Sequence, residues 1–114
     1  MAYFHQNLSQ EKWNGLSEDK QILNIAAELT RARNFLVHVQ DNEYFMNSLN
    51  RALELVDLTV NNREQWENGK LRELLRFREN LASYSIAENR DIDYFQKLLK
   101  AFLYLNKQSA LIKL

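Results

Sequence analysis

A chain of 114 residues with 46% apolar and 26% charged side chains can bury one core and wet one surface, but has no room for a second core. It has no Pro, two Gly and no Cys, which removes the usual turn chemistry of a sheet protein, along with disulfides, thiolate metal sites and a cysteine nucleophile. Its 15 basic and 15 acidic residues cancel, so the domain as a whole lacks the excess positive charge of a nucleic-acid-binding protein.

Ser9 to Asn14 reads as a short helix, with Ser9 as its cap, Trp13 as an apolar anchor and Gly15 as a left-handed terminator. Ser17 caps the first long helix, and Glu18 and Asp19 face the positive end of its dipole. Its apolar stripe is Ile22, Ile25, Ala26, Leu29, Ala32, Leu36 and Val39, in steps of three and four, and the helix is expected to end near Gln40. Asp41 and Asn42 restart the chain as caps. Phe45, Leu49, Ala52, Leu53, Val56 and Val60 then carry the same period to Asn61. A connection as short as 40–42 folds these two helices back on each other as an antiparallel hairpin. A third helix starts between Asn62 and Gly69 and runs from Lys70 to about Ser85 on Leu71, Leu74, Leu75, Arg78 and Leu81. Gly69 is the natural break, because glycine inside a helix costs about 1 kcal/mol. Asn89 or Asp91 caps the fourth, which runs to about Gln108.

The expected fold is therefore all-α: one domain over residues 1–114, an antiparallel up-down bundle of about four helices with a short extra helix at its N-terminal side. The stretch from Met1 to Trp13 does not read as a signal peptide, and Lys100 and Lys107 interrupt the longest apolar run. A soluble, cytoplasmic protein without a membrane partner is expected, and the lack of cysteine fits a reducing compartment.

The fourth helix is apolar on more than one face. Ile92, Phe95, Leu98, Leu99, Ala101, Phe102, Leu103 and Leu105 together exceed what a narrow four-helix core needs. That excess predicts a homodimer or other homo-oligomer with Phe95, Leu98, Leu99, Phe102 and Leu105 at the interface. A central position within one chain, with Tyr3, Phe4 and Trp13 as cover, is the competing account. The charge is also uneven. Residues 1–57 hold 5 basic and 8 acidic residues (5 − 8 = −3), and residues 58–114 hold 10 and 7 (10 − 7 = +3). Such halves attract each other across a bundle or a dimer, or else turn a basic face to phosphate.

Few residues carry chemistry. Two histidines far apart, His5 and His38, form no metal-ligand pattern, and glycines 54 positions apart form no phosphate loop. No metal or cofactor is expected. What remains is Arg33-Asn34-Phe35-Leu36-Val37-His38. Arg followed by a polar residue, with a His beyond, resembles the signature of HEPN-type ribonucleases, which are small, often dimeric all-α bundles. The resemblance implies metal-independent RNA cleavage at a dimer cleft, with the ribose 2′-OH as nucleophile. Arg33 would stabilise phosphate charge, Asn34 would orient the site and His38 would act as acid or base. On a regular helix Arg33 and His38 lie ~140° apart, so a shared site requires a local break near Val37. The plainer account makes His38 a dipole-facing helix-end histidine, and makes Arg31 and Arg33 ion-pair partners of Glu28.

A last candidate is Lys97, Lys100, Tyr104 and Lys107, a basic face with an aromatic that could follow a nucleic-acid backbone. The same pattern describes a solvated face whose lysine stems cover apolar neighbours, with Asp91 and Asp93 balancing the charge upstream. Tyr84, Tyr94 and Tyr104 read as a core rim. The leading functional expectation is a non-enzymatic module that works by association with itself and with a protein partner. The ribonuclease is the alternative.

Overall fold

The computed structural model describes residues 8–39, 41–62, 66, 70–87 and 90–105. The elements are α1 (Gln10–Asn14), α2 (Glu18–Asn34), a π-helical segment (Phe35–Val39), α3 (Asn42–Val60), α4 (Lys70–Ser85) and α5 (Ile92–Leu103). The chain is all-α, and no strand occurs among the described residues. The expected Asn89 cap, the stretch before Gly69 other than Trp66, the cover from Tyr3 and Phe4, His5, Gln40 and the run from Lys107 to Gln108 lie outside the described residues.

α1, α2, α3 and α5 each start where a short polar side chain can satisfy amides that have no partner within the helix. Ser9 Oγ accepts from the Lys12 amide at 3.1 Å and Ser17 Oγ from Lys20 at 3.3 Å. Asp41 Oδ1 accepts from Tyr44 at 3.1 Å, and Asp91 Oδ1 from Asp93 and Tyr94 at 2.9 and 3.3 Å. Each such cap contributes about 1 kcal/mol. Gly15 departs from expectation. It closes α1 at φ −73°, a right-handed conformation open to any residue, because its amide simply continues the helical bonding to the Glu11 carbonyl at 3.1 Å.

Four helices close a ring in which α2 packs on α3 and α5, and α4 packs on the same two. Neighbours along the chain run antiparallel: Arg78 of α4 reaches back to Asp57 near the end of α3, while Tyr84 meets Phe45 near its start. Ile22, Ile25, Leu29, Leu49, Val56, Leu74, Leu81 and Leu99 fill the interior. Two ion pairs between different helices of the described residues, Lys70–Glu18 at 2.8 Å and Arg78–Asp57, run from the basic half of the sequence to the acidic half. The charge asymmetry is thus spent partly inside the bundle. Half-exposed pairs of this kind contribute up to about 1 kcal/mol each.

Two positions in the expected stripes are displaced, and one helix end is shifted. Val39 is exposed, because α winding stops at Asn34 and the π-helical turn rotates it off the buried face. Leu75 is exposed and Phe77 takes its place, packing on Phe102 with ring centroids 4.7 Å apart. α5 ends at Leu103, with Tyr104 as its cap.

The first turn of α2 holds a polar cluster inside the core. Gln21 and Trp66 are both fully buried. Gln21 Nε2 donates to the Trp13 carbonyl at 2.9 Å, and Gln21 Oε1 accepts from the Trp66 indole at 3.1 Å. The Trp13 indole donates to Thr59 Oγ1 at 3.0 Å, which in turn donates to the Leu55 carbonyl at 2.8 Å. One glutamine therefore ties the α1 end, α2 and the segment before α4 together.

Candidate association surface

The opposite end of the bundle is built from the α2-to-α3 connection and the α4-to-α5 connection. Here α2 gives way to π winding, whose hydrogen bonds link residues five apart. Phe35 and Leu36, adjacent in sequence, both pack against the core cluster, and Phe35 stacks on Tyr44 at 5.1 Å. Behind them Phe45, Tyr84 and Phe95 form an aromatic group with centroids 5.3–6.2 Å apart.

Arg90 holds the two connections together. Its guanidinium lies 4.7 Å from the Phe45 ring centroid, a cation–π placement. It donates to Asn42 Oδ1, to the Ser85 carbonyl at 3.2 Å and toward Met46 Sδ at 3.3 Å. Its Nε is buried with no hydrogen-bond partner, and Arg90 forms no ion pair among the described residues. Beside it opens a depression of about 310 Å³, lined by Phe35, Leu36, Asp41, Asn42, Arg90 and Ile92. The Tyr84 hydroxyl donates to the Asp91 carbonyl at 3.0 Å. Burial, with Asp91 nearby, outweighs the opposing pull of Arg90 and pushes this phenol up to about 12.

Exposed apolar side chains are concentrated on the segments that meet at this end, among exposed polar ones such as Glu43 and Asp93. Val39, Tyr44, Ile86, Ile92 and Tyr94 are five of the eight large apolar residues exposed among the described residues, and Ile86 is 84% exposed. A cluster of this kind at one end of a small domain marks a contact surface more often than chance exposure does.

The expected interface residues are elsewhere. Phe95, Leu98, Leu99 and Phe102 are between 1% and 8% exposed, inside the core of a single chain, and Leu105 packs partly against it. The apolar excess of α5 is used as a central position within the bundle, between α2 and α4, because helices on two sides cover two of its faces. Only Ile92 and Ala101 of that set are exposed.

Of the motif residues, Arg33 is half-buried and donates to Gln96 of α5 at 3.3 Å, and Asn34 is exposed. His38 is exposed within the π-helical segment, so α winding is interrupted across Val37. Glu28 takes Arg31 as its partner, at 2.9 Å, and not Arg33. Lys97, Lys100 and Tyr104 are exposed on α5, and Arg76 pairs with Glu73 at 3.5 Å.

Among the described residues no group of three or more His, Cys, Asp or Glu could hold a metal ion, and no helix is long and apolar enough to cross a membrane. Arg90 and the exposed apolar rim went unseen in the sequence, where the only signal was a lone arginine just before the Asp91 cap. Compared with protein-family models, with curated proteins and with solved structures, the chain matches none at a significant level.

Proposed function

We propose that this bundle is a non-enzymatic association module that forms a homodimer or other homo-oligomer through its π-helical end. The carrying observation is the gathering of Val39, Tyr44, Ile86, Ile92 and Tyr94 at that end, while the apolar side chains of α5 are consumed in the core. Covering exposed apolar surface contributes about 25 cal/mol per Å², so covering the side chains at this end supplies a driving force for association. Sedimentation equilibrium tests the reading. A mass that rises with concentration from 13.6 kDa toward a multiple of it supports association, and one that stays at 13.6 kDa throughout refutes it.

A second reading is the HEPN-like ribonuclease, or an inactive relative, using Arg33, Asn34 and His38. The π-helical turn favours it, since such turns are frequent at functional sites and this one carries an exposed imidazole beside the motif. Its test is cleavage of a mixed single-stranded RNA pool in EDTA by the native protein and by His38→Ala of equal helicity. Cleavage lost in the variant supports the reading. Absent or equal cleavage rejects catalysis by His38.

A further inference from the structure

We infer that Asn14–Gly15 is a self-modification site, at which Asn14 loses its side-chain amide through a succinimide and the last turn of α1 sets the rate. The inference stands apart from the association reading and concerns the other end of the bundle.

Both glycines of the chain follow asparagine, at Asn14–Gly15 and Asn68–Gly69. The first pair ends α1, and both of its residues are exposed. The groups that cyclisation needs meet there. The nucleophile is the Gly15 nitrogen, which no Cβ shields. The electrophile is Asn14 Cγ, one residue back. Gln10 Nε2, held by the Leu58 carbonyl at 2.7 Å, also donates to Asn14 Oδ1 at 2.7 Å. Negative charge collects on that oxygen during attack, so a donor placed on it favours the step.

The step needs only water. Hydroxide takes the Gly15 amide proton, the nitrogen bonds to Asn14 Cγ, and the Cγ–Nδ2 bond breaks to release ammonia. Water then opens the ring at either carbonyl. Position 14 becomes aspartyl, or isoaspartyl with the main chain routed through the former side chain and one carbon longer. Native winding opposes the attack, because the Gly15 amide donates to the Glu11 carbonyl at 3.1 Å. That bond must open first. α1 has five residues and its Ser9 cap, and so short a helix opens locally.

The product reaches the buried polar cluster. The Trp13 carbonyl accepts from the Leu16 amide at 3.0 Å and from Gln21 Nε2 at 2.9 Å. The Leu16 bond closes a turn through residues 14 and 15, which an extra backbone carbon lengthens. A new negative charge at the C-terminal end of α1 also opposes the helix dipole. Both changes loosen α1 against α2.

The experiment ages the full chain and its Gly15→Ala variant in mildly alkaline buffer and maps tryptic peptides by mass. Peptide 13–20 reports Asn14, and peptide 64–70 reports Asn68 separately. The variant suits the fold, since Gly15 is right-handed at φ −73° and an added Cβ would meet the Lys12 carbonyl oxygen at 3.4 Å, an ordinary contact. Should it not fold, Asn14→Gln, whose longer side chain cyclises far more slowly, replaces it. Acid is expected to accumulate in peptide 13–20 of the native protein, faster in the urea-unfolded chain and several-fold slower in Gly15→Ala. Ser9→Ala, which removes the cap of α1, should speed it in the folded protein. The urea midpoint of the aged native protein should fall below that of a fresh sample, with a smaller fall for Gly15→Ala. An Asn14 that keeps its amide through several weeks in the native protein, conversion as fast in Gly15→Ala, or equal rates in the native and unfolded chain overturns the inference.

Discussion

Replacing Gln21 by Leu tests whether the buried amide, and not merely its volume, holds the lower end of the bundle together. Leucine fills nearly the same space, so the main losses are the two hydrogen bonds of the side chain. They are unequal. The Trp13 carbonyl keeps a second donor, the Leu16 amide at 3.0 Å, and stays satisfied. The Trp66 indole, on a fully buried residue, is left without its acceptor, which costs about 1–3 kcal/mol. Trp66→Phe strands the partner instead: Gln21 Oε1 loses its donor at a similar cost, with a further loss for the smaller ring. In the double variant neither orphan exists, and only packing terms remain. The expected result is two destabilised single variants and a double variant less destabilised than their sum by about 2–6 kcal/mol, the two orphan costs together. Urea unfolding followed at 222 nm measures this without relying on tryptophan fluorescence. Additivity within about 0.5 kcal/mol, or a Gln21→Leu variant as stable as the native protein, would refute the reasoning.

Two further outcomes follow from single groups. Because burial raises the Tyr84 phenol from 10.0 to about 12, the unfolded chain gives up that proton first as pH rises. The native state keeps the proton, so the stability held below pH 10 falls progressively as pH rises toward 12. Tyr84→Phe should flatten that part of the stability–pH curve relative to the native protein. An unchanged slope would assign alkaline unfolding to other groups. Ser48 is fully buried in α3, and its Oγ has no hydrogen-bond partner among the described residues. Ser48→Ala should therefore raise the urea midpoint, with a gain of about 0.5–2 kcal/mol, and a loss of stability would reveal a partner for that hydroxyl.

The helices were legible because local chemistry specifies them. Ser9, Ser17, Asp41 and Asp91 cap the elements that their positions announce, and the periods of Ile22 to Ala32 and Phe45 to Val56 are the buried faces. The three-residue connection around Gln40 was enough to make α2 and α3 antiparallel. Of the candidate site, the sequence marked the stretch from Arg33 to His38 and the apolar excess of α5. It did not show that Arg33 would be engaged by Gln96, a contact between residues 63 positions apart.

Sequence periodicity reports how many faces of a helix are apolar, since that depends only on winding and spacing. It cannot report what covers them. Phe95, Leu98, Leu99 and Phe102 look the same whether a neighbouring helix or a second chain lies opposite. Only the tertiary arrangement, with α2 and α4 both against α5, placed them in the core of one chain. The same holds for polar groups. Gln21 interrupts no pattern and Trp66 stands in a polar stretch, yet folding buries both, because each satisfies the other and the satisfied pair can leave water. Arg90 is likewise an ordinary charge in the chain. It becomes the hub of one end only when two connections close around it and a phenyl ring covers its face.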